Sequence, residues 1–211
     1  KVDLRGRIGM SVEMADLEIE PQLKFLEELG RVPVLMRFGH HEGREQWEKG
    51  LEVLDRLHGE GVEIMVALLQ DREAVLSPES WREFLEFVLS RMAGKVAVVE
   101  ICHVVNRVKW GVHSLKEHSD LVAPFKALRE KFPKIRFSGP ACIDFEYHYL
   151  MGALATTPKG FHYDALSHHL YVDRRGAPEN KQGAFGTVEK AGLLKAIARW
   201  SGRCEERVVV S

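Results

Sequence analysis

Apolar and polar positions alternate between two periods along this chain. Short β-branched runs recur at Arg7–Val12, Val32–Phe38, Val62–Leu68, Val96–Ile101, Ile135–Phe137, Tyr163–Tyr171 and Arg207–Val210. They lie roughly 25–40 residues apart, the length of one strand–helix unit. No internal sequence repeat accompanies this spacing, so topology recurs without sequence recurring.

The intervening segments carry the helical period. Glu20–Leu29 places Leu23, Leu26 and Leu29 on its apolar side and meets Gly30, a left-handed cap. Glu45–His58 presents Trp47, Leu51, Leu54 and Leu57 before Gly59 and Gly61. Ser77-Pro78 opens a third helix with a capping residue and a proline at the first turn, followed by Trp81, Phe84, Leu85, Val88 and Leu89. Ser114-Leu-Lys-Glu117 reads as a capping box. Phe145–Leu154 and Thr187–Trp200 complete six predicted helices.

Strands alternating with helices predict a parallel sheet covered on its faces by helices. An open doubly wound sheet and a closed barrel both satisfy that pattern. After the first run the chain reads Ser11-Val-Glu-Met-Ala-Asp16, and it contains neither G-x-G-x-x-G nor a P-loop. Polar and aromatic residues collect where strands end: Glu13, Arg37, His40, Asp71, Asn106, Asp144, His169 and Tyr171. A barrel builds its site from such ends, so the expected fold is a (β/α)8 TIM-type barrel with seven strands in this chain. A complete barrel needs eight strands and about 250 residues. The expectation is therefore a single barrel domain over 1–211 that continues past Ser211, or that borrows an eighth strand from a partner chain. An uncovered edge would favour a homo-oligomer.

Composition narrows the function classes. The 211 residues hold 30 basic and 31 acidic side chains, a net charge of -1, which gives no basic field for nucleic-acid backbones. At 45 % hydrophobic and 29 % charged residues the chain is of folded rather than disordered composition. No apolar run is long enough to span a bilayer. Cys102, Cys142 and Cys204 are odd in number and widely spaced, which argues against a disulfide framework and fits a reducing, cytoplasmic setting.

The fourth run supplies the first candidate chemistry. In Val99-Glu100-Ile101-Cys102-His103-Val104-Val105-Asn106-Arg107, Glu100 is an acid within a valine-rich buried strand. Such a carboxylate is either a structural ion pair, with Arg37 as partner, or a group poised for acid–base work. Arg37 itself interrupts an apolar strand and predicts a carboxylate nearby. The His169-x-Tyr171 spacing puts an imidazole and a phenol on one strand face, while His168 faces the other way. His40, His103, Asn106 and Asp144 offer polar contacts, and Trp110 is either a stacking platform for a sugar or ordinary packing.

Three strand ends resemble clan A of the glycoside hydrolases, retaining barrel enzymes that cleave glycosidic bonds with two glutamates. Val99-Glu100-Ile101 followed by Asn106 is similar to the family's fourth-strand pattern V-E-I-G-N-E-x-N. Arg37-Phe38-Gly39-His40 resembles its second-strand end, and Asp164-Ala-Leu-Ser-His-His169-Leu-Tyr171 its sixth-strand His-x-Tyr segment. The resemblance implies a barrel with a sugar-shaped pocket. It also places the family's Asn–Glu acid pair on His103 and Val104, and valine transfers no proton. The family's nucleophile falls at the end of the seventh strand, beyond Ser211. Without both carboxylates double displacement cannot run.

The resulting expectation is a glycoside hydrolase-like protein that acts on or binds a carbohydrate. Glu100 is its candidate catalytic group, and Arg37, His40, His103, Asn106, Trp110, Asp144, His169 and Tyr171 are its substrate contacts. No cofactor or metal is expected in that reading. A catalytically inactive carbohydrate-binding barrel is the alternative. A further alternative is a metal-dependent hydrolase or isomerase using strand-end histidines among His40, His41, His103, His168 and His169, although no His-x-His or H-E-x-x-H spacing is present.

Overall fold

The computed structural model describes residues 8–14, 19–30, 32–171, 177 and 179–211. Arg7, Ala15 and Asp16, named above, lie outside the described residues.

Strands and helices alternate as the sequence pattern predicts. β1 (Met10–Val12), β2 (Val34–Gly39), β3 (Ile64–Leu69), β4 (Val98–Ile101) and β5 (Arg136–Ser138) form a parallel sheet in sequential order. A second parallel sheet joins β6 (Cys142–Ile143), β7 (Leu166–His169) and β8 (Val208–Val210). Among the described residues a single parallel bridge, Ser138 to Ala165, connects the two. β6 is the one strand the sequence pattern did not predict. At two residues it is too short to show a period, and it follows β5 after only Gly139-Pro140-Ala141.

Register decides what faces what. Arg37 pairs with Ala67, Ala67 with Glu100, and Glu100 with Ser138, so these four side chains form one row across four strands. The alternate residues of β2 and β3 (Val34, Met36, Phe38, Ile64, Val66, Leu68) are buried in the apolar core that the helices share. A cavity of about 660 Å3 is lined by Ser11, Leu35, Arg37 and Met65 on one side and by β8 on the other. Among the described residues β1 and β8 exchange no strand pairing.

Helices fall close to their predicted bounds, with instructive differences. α1 (Ile19–Leu29) buries Leu23 and Leu26 but leaves Leu29 exposed, because successive steps of three drift off a 3.6-residue stripe. α2 (Gly43–Gly59) buries Leu51, Leu54 and Leu57 as expected. A short α3 (Arg72–Leu76) precedes α4 (Pro78–Met92); its cap is Asp71, which accepts a hydrogen bond from the Ala74 N–H. Ser77 precedes Pro78 as predicted, yet its hydroxyl makes no capping bond. In α5 (Leu115–Val122) the Ser114 hydroxyl accepts from the Glu117 N–H at 3.2 Å, while the Glu117 carboxylate reaches back to the His113 N–H rather than to Ser114. α6 (Phe125–Lys131), α7 (Tyr147–Ala155) and α8 (Thr187–Ser201) follow. Among the described residues no helix is long and apolar enough to cross a membrane. All three cysteines are free and buried.

Candidate functional site

The site begins where β4 ends. Cys102 and Val104 both adopt positive φ, 61° and 44°, a conformation that costs a side chain of ordinary shape. The neighbouring loop holds this segment in place. Gln70, fully buried just past β3, accepts from the His103 N–H at 2.7 Å and donates to the carbonyls of His103 at 2.8 Å and Trp110 at 3.1 Å. Arg72 donates to the Gly111 carbonyl, and Gly111, at φ 89°, lies so close to Asp71 that an added Cβ would sit 2.4 Å from its backbone.

This turn brings His103 above Glu100, and β7 adds His169. The two imidazoles meet edge-to-face at 5.1 Å. One donor atom from each of Glu100, His103 and His169 lies within 4.8 Å of the other two. The Ser211 hydroxyl donates to Glu100 Oε2 at 2.6 Å, but Glu100 Oε1, His103 Nδ1 and His169 Nε2 are buried with no hydrogen-bond partner. At 4.0 Å, His103 Nδ1 is too far from Oε1 for a hydrogen bond, so the pair interacts through space. Burial pushes the Glu100 carboxyl up. Its neighbours His103, His169 and Ser211 outweigh that and hold it below the usual carboxylate value. Burial dominates at His169, holding its imidazole below the ordinary value against the pull of Glu100. Among the described residues, these three are the ones that could hold a metal ion.

Toward solvent lies a pocket of about 800 Å3, lined by His103, Arg107, Lys109, Trp110, Asp144 and Tyr171 among others. The Trp110 and His103 rings meet edge-to-face at 4.6 Å, and the Lys109 ammonium lies 5.2 Å from the indole centre. Asp144 is ion-paired to Arg107 through Oδ2, while its buried Oδ1 has no partner. Tyr171 is 44 % exposed at the pocket edge.

The predicted contacts thus divide. Glu100, His103, Trp110, Asp144, His169 and Tyr171 gather at the ends of β4, β6 and β7. Asn106 borders them but its amide is committed to structure: Nδ2 donates to the Ile143 carbonyl and to Glu146, and Oδ1 accepts from the Ile143 N–H. His40 lies elsewhere, with Nδ1 on Asp71 and Nε2 on the Ser80 hydroxyl, wedged against Trp81 and Phe84. Among the described residues Arg37 forms no ion pair and bonds the Ser11 hydroxyl instead. The expected Arg37–Glu100 pair does not form because β3 intervenes, a separation of about 10 Å at two strand spacings. His168 points away as expected, stacked on Tyr147 at 5.2 Å, with neither ring nitrogen bonded.

Sequence reasoning passed over Gln70, Arg107 and Glu146. Arg107 binds both Asp144 and Glu146 and so ties the β4 loop to the β6 loop. A glutamine directly after an apolar strand was the one available signal for Gln70.

No protein-family model matches the chain, and no curated protein matches it. Solved structures do. A glycoside hydrolase family 30 subfamily 8 xylanase from Clostridium acetobutylicum superposes with a TM-score of 0.58 at 11 % identity, over 92 % of this chain and 53 % of that one. A GH53 catalytic domain from Ignisphaera aggregans gives 0.55 at 13 % identity, over 81 % and 61 %. An HpcH/HpaI aldolase from Desulfitobacterium hafniense DCB-2 gives 0.50 at 11 %, over 98 % and 86 %. The chain thus spans little more than half the length of the first two. At such identities the likeness carries architecture alone: a parallel α/β fold with neighbours of the TIM-barrel type.

Proposed function

We propose that this chain is a glycosidase-like barrel of seven strands, with β5 and β6 forming one interrupted strand, that binds carbohydrate in the rim pocket. The observation that carries the reading is the pocket itself: an indole, a phenol, an imidazole and a carboxylate border one opening at the ends of parallel strands. Apolar ring faces with polar groups at their edges suit a pyranose, whose faces are apolar and whose rim is hydroxylated. Trp110 is the stacking surface, and Tyr171, His103 and Asp144 the hydrogen-bonding groups. Two glycoside hydrolases among the solved neighbours agree with this choice of ligand class.

Binding is better supported than turnover. Retaining hydrolysis needs two carboxyl groups about 5–5.5 Å apart across the bond to be cleaved. In the pocket Asp144 is ion-paired to Arg107 and Val104 stands at the acid position the resemblance indicated, while Glu100 nearby has no exposed surface. Titration with xylo-oligosaccharides, suggested by the xylanase neighbour, and then with mannose- and galactose-based oligomers, tests the reading. Calorimetry and tryptophan fluorescence should show saturable binding that Trp110→Ala weakens about ten-fold, without release of reducing ends. Absence of binding across the panel, or binding indifferent to Trp110→Ala, overturns it.

A further inference from the structure

We infer that Glu100, His103 and His169 form a binding site for one divalent transition-metal ion, zinc or iron(II), at the floor of the rim pocket. Buried polar atoms are almost always partnered. Here three orphaned atoms (Oε1 of Glu100, Nδ1 of His103, Nε2 of His169) belong to three residues whose donor atoms converge within 4.8 Å. Each is a metal-ligand type, and two imidazoles with one carboxylate is a donor set that zinc and non-haem iron both use. Ligands on one such ion lie about 3.4 Å apart in tetrahedral geometry, so drawing Oε1 and Nδ1 together from 4.0 Å is a shift of well under 1 Å.

The surroundings favour the same role. The Ser211 backbone interacts with the His169 imidazole in the sense that stabilises a ring N–H. With Nε2 unpartnered, that arrangement leaves Nε2 free to point at an ion, the usual support for a ligating histidine. The Ser211 hydroxyl likewise fixes Glu100 through Oε2 and leaves Oε1 directed at the cluster. Three protein ligands leave a coordination position open. His103 also lines the rim pocket, so a hydroxyl, carboxylate or water entering from solvent meets the cluster on that side. His118 and His168 are orphaned too, but neither belongs to a convergent group among the described residues.

The inference does not rest on the carbohydrate reading, and its test uses metal alone. Chelator-treated protein is titrated with zinc chloride by calorimetry, and with cobalt(II) while visible d–d absorption is followed. Wild type should bind one equivalent and gain thermal stability from it. Glu100→Gln and His169→Ala, checked for folding by circular dichroism, should each weaken binding by more than about 100-fold, since losing a ligand costs more than losing its support. His41→Ala, an exposed histidine outside the cluster, should bind as wild type does. Zinc binding that survives both cluster substitutions, or no stoichiometric binding by wild type, overturns the proposal whatever the oligosaccharide titrations show.

Discussion

Two histidine–carboxylate stations sit at strand ends of this molecule, and they are built in opposite ways. Past β2, His40 spends both ring nitrogens, on Asp71 at 3.0 Å and on Ser80 at 2.8 Å, and packs against two aromatic rings. Past β4, His103 meets Glu100 and, from the end of β7, His169, and the three leave three donor atoms unspent. Residue types are nearly the same, and all three histidines are buried. What differs is satisfaction, which separates a joint from a site: a joint is finished by its own chain, and a site is finished by something else.

The largest expected effect concerns acid. His118 on α5 and His168 on β7 are buried without partners, and burial pushes each imidazole down to about 4. A folded-state value below the ordinary 6.5 means the unfolded chain takes up the proton first, so stability falls as pH drops from 6.5 toward 4. Each group contributes a loss on the order of 3 kcal/mol across that window. Glu100, also held low, adds its own loss below its ordinary value of 4.5. Denaturant titrations at stepwise pH should show this slope, and His168→Phe should flatten it; an unchanged slope would remove the unsatisfied class from the comparison.

Next in size is Gln70→Ala. It strips three hydrogen bonds from the β4 turn and leaves buried His103 backbone groups unpaired, an expected cost of about 3 kcal/mol by equilibrium unfolding. Gly111→Ala should follow at about 2–3 kcal/mol, from a Cβ forced against the Asp71 backbone at a positive φ. The sharpest contrast is smaller. His40→Ala should cost about 2 kcal/mol, because it strips one bond each from Asp71 and Ser80, whereas His169→Ala in metal-free protein should cost less, because its Nε2 has no partner to lose. Equal losses at the two positions would break the distinction drawn here.

Much of the fold was legible because its signals are periodic and local. β-Branched runs and leucine stripes located the seven predicted strand runs and six predicted helices. The pieces that escaped, α3, α6 and β6, are too short to show a period, and Pro124 splits what reads as one helix. The site was half legible. Glu100 stood out as an acid in an apolar strand, and the His169-x-Tyr171 spacing matched the end of β7, with His169 closing the strand and Tyr171 just past it. That Arg37 would miss Glu100 depends on Ala67 lying between them, which only strand order reveals. The role of Gln70 was hidden because its partners are backbone atoms 33 and 40 residues away.

The three cysteines carry one last consequence. Each thiol is enclosed, and burial pushes Cys102, Cys142 and Cys204 away from the reactive thiolate form. Alkylating reagents should therefore ignore the native molecule and mark only those copies that have transiently opened. The chain carries its own clock for breathing, read by mass spectrometry with no dye or tag attached.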